Sequence, residues 1–434
     1  MADTIRPLII AEMANPEWVS VPLVGWSLST ALQNITDAHI VTQVRNREAF
    51  LRGGLLEGEQ FTAINSEAVA RAMWRVGKVL RMGEGKGWTT VMALSAIDYP
   101  YFERLVWKQF GAAIEAGHYD LVHRVTPLSP TISSPIARKC QRAGVPFVMG
   151  PINGGVPWPP GFDAERRRER EWLSYVRDAY KLLPGRVATL SAASAVIVGS
   201  RHTQSEVPER FQDKCIYIPE NAIDDARFSL PPKDKLNTPL RGCFIGRLVP
   251  YKGPDMLIAA AADLLREGRL ELDFIGDGPM MDELRQMAER EGVAHAITFR
   301  GWVAHEDLQA VVRESDLFTF PSVREFGGAV VLEAMMLGVV PVIVDYGGPG
   351  EHVVEGTGFK IPISGRDELI GNLRAELRRV VDAPEALPEI ARNARQRIQD
   401  KYTWARKAEQ ILEIYDWVTG RRQDKPDPFM YSGH

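Results

Sequence analysis

The sequence predicts an α/β protein built as two doubly wound domains facing a cleft. Short β-branched runs alternate with longer helical patterns along the chain, which is the pattern of βαβ units and parallel sheets. The alternation comes in two series separated by a polar stretch, Asn221 to Lys235, in which Pro231-Pro232-Lys233-Asp234-Lys235 is the best linker candidate. A chain of 434 residues with 45% apolar and 25% charged content is globular and too long for one ordinary core.

In the first series the expected strands are Leu8–Ala11, His39–Thr42, Thr89–Met92, Leu121–His123, Pro146–Met149 and Ala195–Val198, with Cys215–Pro219 leading into the polar stretch. In the second they are Gly242–Ile245, Leu272–Ile275, Ile297–Phe299, Leu317–Phe320, Val340–Val344 and Phe359–Ile361. Ligands of such sheets bind outside the carboxyl ends of the strands, so the loops after strands are where chemistry is sought. Tyr402 to Val418 reads as an amphipathic helix with Trp404, Ile411, Leu412, Ile414, Tyr415 and Val418 as its apolar positions, and residues 421–434 read as a loose polar tail.

A net charge of −4 argues against a general nucleic-acid binder. Cys140, Cys215 and Cys243 are far apart without C-x-x-C spacing and read as small core residues in a reducing compartment. The first residues lack a signal peptide's apolar stretch, and no run approaches the ~18 apolar residues of a membrane span. A soluble, cytoplasmic protein is the expectation.

The most informative segment runs from Pro321 to Met335. Leu317–Pro321 reads as a buried strand closed by proline, Gly327-Gly328 permits a tight turn, and the pattern is helical from Ala329 to Leu337. The unpaired N–H groups of that helix start, near Ala329 and Val330, and its positive dipole end suit an anion. Glu325 precedes this anion site and Glu333 lies about two turns into the helix. A nucleotide diphosphate with a sugar on one side and a ribose on the other suits this arrangement.

Glu325 and Glu333, with seven residues between them, resemble the E-x7-E signature of retaining glycosyltransferases of the GT-B fold (glycosyl transferases group 1, the glycogen-synthase-like superfamily). The resemblance implies two Rossmann-like domains. It also implies that the first Glu contacts the donor sugar and the second the ribose hydroxyls. The family's run is E-G-F-G-L-x-x-L-E, whereas Glu325-Phe326-Gly327-Gly328-Ala329 exchanges Phe with the first Gly.

Other segments are similar to the same family. Gly246-Arg247-Leu248, with Lys252-Gly253, follows a strand and precedes a helix. It looks like the G-R-L…K-G motif whose Arg and Lys bind the donor diphosphate. A plain basic loop is the alternative, and the downstream glutamates weigh against it. Gly276-Asp277-Gly278-Pro279 is similar to the G-x-G-P turn near the nucleotide, although Asp-Gly is also an ordinary turn. Trp302 and Val303, after Phe299-Arg300-Gly301, are placed to pack on the base, and a core role fits them equally. His123, at a strand end, is placed like the histidine that approaches the donor sugar; a satisfied structural histidine is the commoner case. Asn153-Gly154-Gly155 either lines the acceptor side or is a turn. Glu351, after Gly347-Gly348, either supports the sugar-phosphate site or caps a helix. The family's Gly-Gly loop after the first strand is replaced by Val21-Pro22-Leu23-Val24-Gly25-Trp26-Ser27, leaving Gly25 as the candidate for close backbone approach, with an apolar loop before it. Residues 164–183 form a basic amphipathic pattern able to lie on an anionic membrane; a charged outer helix is the favoured reading because Glu165, Glu169, Glu171 and Asp178 dilute the charge.

The resemblance implies a retaining transfer from a nucleotide sugar, by weak preference a UDP-sugar, to an unidentified hydroxyl acceptor. The resemblance also implies front-face attack, with the leaving phosphate taking the acceptor proton, and no metal is expected, since no paired Asp or D-x-D motif follows a suitable strand. Residues 1–219, joined by a C-terminal helix over about 402–420, are expected to bind the acceptor, and residues 220–401 the donor. Catalytic roles are expected of Glu325, His123, Arg247 and Lys252. Donor contacts are expected of Gly246, Gly276, Trp302, Val303, Gly327, Gly328, Ala329, Val330 and Glu333. The rivals are a disaccharide phosphorylase of the same fold and a non-catalytic nucleotide-sugar-binding protein. A two-domain dehydrogenase is set aside because no G-x-G-x-x-G follows a strand.

Overall fold

The computed structural model describes residues 4–67, 88–169, 185–304 and 307–429, with backbone only for 88–97. The chain forms two compact units. The first comprises Met1–Gly154, Leu173–Glu220 and Trp404–His434, and the second Gly155–Trp172 and Asn221–Thr403.

The first unit carries seven strands: β1 (Pro7–Ala11), β2 (His39–Gln43), β3 (Phe61–Ile64), β4 (Leu121–Thr126), β5 (Phe147–Ile152), β6 (Ala195–Val198) and β7 (Cys215–Tyr217). They pair in parallel in the order β3-β2-β1-β4-β5-β6-β7. The second unit carries β8 (Leu240–Ile245), β9 (Leu270–Ile275), β10 (Ile297–Gly301), β11 (Leu317–Phe320), β12 (Val340–Val344) and β13 (Phe359–Ile361). These are also parallel, in the order β10-β9-β8-β11-β12-β13. Both orders reverse at the first strand of the unit, as in Rossmann-like doubly wound sheets. The central strands are buried along their whole length, β1, β4, β5, β11 and β12 at every residue. Helices on both faces explain why these strands read as continuous apolar runs instead of alternating ones.

Three expectations are corrected. Thr89–Met92 is not a strand but the start of the helix Trp88–Glu115. Its β-branched residues suggested extension, yet further on Tyr99, Phe102, Val106, Phe110 and Ile114 are buried at spacings of three and four, so one helical face continues through the segment. The Pro231–Lys235 stretch is not a linker: the chain leaves the first unit between Glu220 and Asn221. Pro232 packs so closely on Gly338 that a Cβ there would lie 2.6 Å away, and Lys233 pairs with the buried Asp316. The tail after Gly420 is held as far as Phe429, whose ring is buried edge-on against Tyr217 at 5.5 Å. The edge strand β3 was not foreseen.

The helix Trp404–Val418 packs on the helix Val21–Gln33 of the first unit, burying Ala408, Ile411, Ile414 and Tyr415. All three cysteines are free and buried, and burial pushes the thiols of Cys140 and Cys243 up to about 12 and Cys215 to about 11. Among the described residues no helix is long and apolar enough to cross a membrane.

Candidate functional site

In the second unit β8 and β11 are neighbours at the point where strand order reverses. The loop after β8 runs from Gly246 through a short turn, Pro250–Lys252, into the helix Pro254–Arg266. The loop after β11 runs from Pro321 to Gly328 and into the helix Ala329–Met336. The two loops are tied together, because Val323 N–H donates to the Tyr251 carbonyl at 2.9 Å. This closeness brings Lys252 Nζ to 3.1 Å from Glu325 Oε2 and 5.2 Å from the Phe320 ring centroid. Both charged side chains stay partly exposed, at 14% and 21%, so a ligand can reach the pair. Burial and the nearby Glu325 push the Tyr251 phenol up to about 12, which keeps it protonated.

Gly328 begins the second helix in the left-handed region (φ 57°), and no side chain caps it. The helix thus starts without a side-chain cap over the first-turn amides of Ala329 and Val330. The carbonyls before them face the helix Gly347–His352. Gly348 N–H donates to Glu325 O at 3.2 Å, and His352 Nε2–H donates to Gly327 O at 2.7 Å. Glu333, further along the helix, is buried at 8% exposure.

A cavity of about 490 Å³ opens beside these loops, lined by Gly246, Arg247, Gly276, Trp302, Val303 and Leu308 among others. Gly246 connects it to the ion pair, since a Cβ there would lie 3.1 Å from Lys252 Nζ. Gly276 closes the two strand ends together: a Cβ on it would meet Gly246 O at 2.1 Å. Arg247 is exposed, Trp302 is 78% exposed and Val303 half-buried, so neither of the last two is a core residue. Lys252, Glu325 and Gly246 are thus brought together, and Arg247, Gly276, Trp302 and Val303 share the adjoining cavity.

The first-unit candidates have structural surroundings. His123 is fully buried, with Nε2–H donating to Gly150 O at 2.7 Å and Nδ1 accepting from Tyr415 OH at 2.6 Å. Burial holds it neutral, its pKa lowered to about 4. Both nitrogens are taken, so the expected approach of His123 to a sugar is replaced by a bolt joining β4, the β5 end and the last helix. Gly25 sits inside the helix Val21–Gln33 where a Cβ would meet Met13 O at 2.1 Å; its close approach is to the protein's own backbone. Asn153 and Gly154 lie in irregular backbone just after β5 and bond within the first unit, Gly154 N–H donating to Thr203 Oγ1 at 3.0 Å and Asn153 N–H to Leu128 O at 2.7 Å. In the second unit Glu351 lies near the end of the helix Gly347–His352, whose N-cap is Tyr346, so it is no N-cap. Of the basic pattern 164–183, residues 170–183 lie outside the described residues. Before them, Glu165 is buried and paired with Arg366, and Arg168 pairs with Glu283.

Sequence reasoning missed four residues around Glu325. Arg324 lies over the Trp158 ring at 5.2 Å and the Phe326 ring at 5.5 Å, Tyr346 OH donates to Pro157 O at 2.8 Å, and His352 supports Gly327 from below. The exchange of Phe and Gly after Glu325 was the one local signal, since it moved an aromatic ring to a place needing a new neighbour.

The family model described as "Glycosyl transferases group 1" matches residues 227–397. The chain is 32% identical over 239 residues to a glycogen synthase of Mycobacterium tuberculosis, covering 54% of this chain and 57% of that relative, little more than half its length. It is 30% identical over 326 residues to a D-inositol 3-phosphate glycosyltransferase of Rhodococcus erythropolis, covering 69% of this chain and 68% of the relative. Anabaena HepE, solved in complex with UDP and glucose, superposes with a TM-score of 0.55 at 18% identity, covering 94% of this chain and 99% of that one. The last likeness is one of fold, and the architecture is that of GT-B.

Proposed function

The chain belongs to the glycosyl transferases group 1 family, and on that premise we propose that it moves a sugar from a nucleotide diphosphate sugar to a hydroxyl acceptor, retaining the anomeric configuration. The observation that carries this reading is the Lys252–Glu325 pair at 3.1 Å, next to the uncapped start of the helix bearing Glu333. A cation, a set of open amides and a carboxylate there match, in order, the phosphates and the sugar of one ligand.

In this reading Lys252, Arg247 and the first-turn amides of Ala329 and Val330 hold the diphosphate and stabilise the charge that grows on it as the glycosidic bond breaks. Glu325 accepts hydrogen bonds from the sugar hydroxyls. Glu333 takes the ribose, and Trp302 and Val303 cover the base. The acceptor hydroxyl attacks from the face that the phosphate leaves, and the departing phosphate oxygen takes its proton. The positive charge comes from side chains and helix dipole, so the transfer is metal-independent. The second unit holds the donor and the first the acceptor. A hexose on uridine diphosphate is the preferred donor, supported by the UDP and glucose bound in the Anabaena relative. We place the reaction in the cytoplasm, in keeping with three buried free cysteines.

The test is titration calorimetry with UDP, GDP, ADP and their glucose conjugates, on wild type and Arg247→Ala. Selective UDP binding is expected, weakened by about 10–100-fold in the variant, the range of a charge-assisted hydrogen bond. Wild type that binds none of the six sinks the donor reading. A chelator is expected to leave UDP affinity within about twofold, and a larger loss would contradict metal independence.

A further inference from the structure

We propose that the strap formed by residues 155–169 sets the position of Glu325, and that Trp158 and Arg324 are positioning residues for the donor sugar. The inference rests on the donor reading above. Its evidence is the environment of the two residues that flank Glu325. On one side, Arg324 places its guanidinium over the Trp158 and Phe326 rings and its Nε 3.5 Å from Val156 O. On the other, the Phe326 ring occupies the space above Gly155, where a Cβ would lie 2.4 Å from Cε1. Gly155 has φ 78°, so both its conformation and its lack of a side chain are required there. Trp158 also packs edge-on to Tyr251, the residue before Lys252, at 6.3 Å. One short segment therefore touches both loops that bring Lys252 and Glu325 together.

The strap belongs to the second unit and is firmly packed within it. Phe162 is 1% exposed. Arg366 bridges Glu165 at 3.0 Å and Asp255 at 2.6 Å, Arg168 reaches Glu283 at 2.6 Å, and Tyr346 OH meets Pro157 O at 2.8 Å. Burial opposes the charge of Arg366, but its two carboxylates outweigh it and raise its pKa. The segment thus behaves as part of the scaffold. The exchange of Phe and Gly after Glu325 gains a physical reason: Phe at 326 is the ring that the strap clamps. A planar guanidinium between two rings is also a geometry that lysine cannot reproduce.

The experiment compares wild type, Trp158→Ala, Trp158→Phe and Arg324→Lys by two readouts. The first is the ratio of UDP to UDP-glucose dissociation constants, which isolates what the sugar adds. The second is hydrogen exchange of the amides from Ser322 to Leu332 in the free protein. Trp158→Ala is expected to lose about tenfold in the ratio while UDP affinity stays within about twofold, and to speed exchange by about tenfold. Trp158→Phe restores both, and Arg324→Lys moves both in the same direction by less. A wild-type ratio and wild-type exchange in Trp158→Ala and Arg324→Lys overturn the proposal. Equal loss of UDP and UDP-glucose affinity also overturns it, because that marks a general structural role. Wild type that binds no nucleotide overturns the donor reading instead, and the exchange data then decide separately whether the strap holds the loop.

Discussion

Glu325→Ala is expected to lower the transfer rate by about 10²–10³-fold while UDP binds as well as before or more tightly. The rate loss has the size found when one group poised on a transition state is removed. The affinity follows from the ion pair. Lys252 Nζ lies 3.1 Å from the Glu325 carboxylate, which neutralises part of the positive charge offered to the phosphates. Removing the carboxylate releases that charge, so the diphosphate gains attraction even as the sugar loses its partner. Glu325→Gln tests the same point with shape preserved and is expected to share the rate loss. The measurement is release of UDP under saturating donor, together with calorimetry of UDP alone. Normal turnover in Glu325→Ala would remove the residue from the mechanism, and a fall in UDP affinity would contradict the account of the pair.

His123→Ala is expected to act on stability. It leaves Gly150 O and Tyr415 OH without their partner in the core, at a cost of about 2–4 kcal/mol. The same histidine makes stability depend on pH. Burial lowers its pKa in the folded chain to about 4 from the ordinary 6.5, so between these values the unfolded chain binds the extra proton. Stability from this group is therefore complete above about pH 6.5 and declines as pH falls toward 4, with about 2 kcal/mol gone by pH 5. Urea unfolding of wild type and variant at pH 7 and pH 5 measures it. The variant should be less stable at pH 7 and should show a smaller loss between the two pH values. Equal pH slopes would contradict the buried neutral state, and an intact fold with abolished transfer would return His123 to the chemistry.

What was legible in the sequence is what depends on neighbours along the chain. All six strands of the second unit appear as expected, because each is a short apolar run bounded by turn residues. The carboxylate, the two glycines and the helix start from Pro321 to Met335 also lie within one local pattern. What was not legible depends on residues far apart. Tyr415 lies 292 positions from His123, and nothing around His123 announces it. Arg324 likewise meets the Val156–Trp158 segment from 168 positions away at Val156, and nothing near either residue along the chain announces the contact. Thr89–Met92 failed for a different reason: four residues of β-branched bias were outweighed by a helical face that becomes clear only over several further turns.

The division of the chain also bears on how such proteins recombine. The second unit is two separate stretches, and the chain changes unit at Gly154–Gly155, Trp172–Leu173, Glu220–Asn221 and Thr403–Trp404. A chimera that exchanges only the continuous block 221–403 leaves behind the Trp158 and Gly155 that its Arg324 and Phe326 fit. Drift at residue 155 or 158 in one parent is then matched only by loops from that same parent. If the strap positions the donor sugar as proposed, donor preference is inherited in two pieces, and a swap meant to alter it must carry the short piece with the long one.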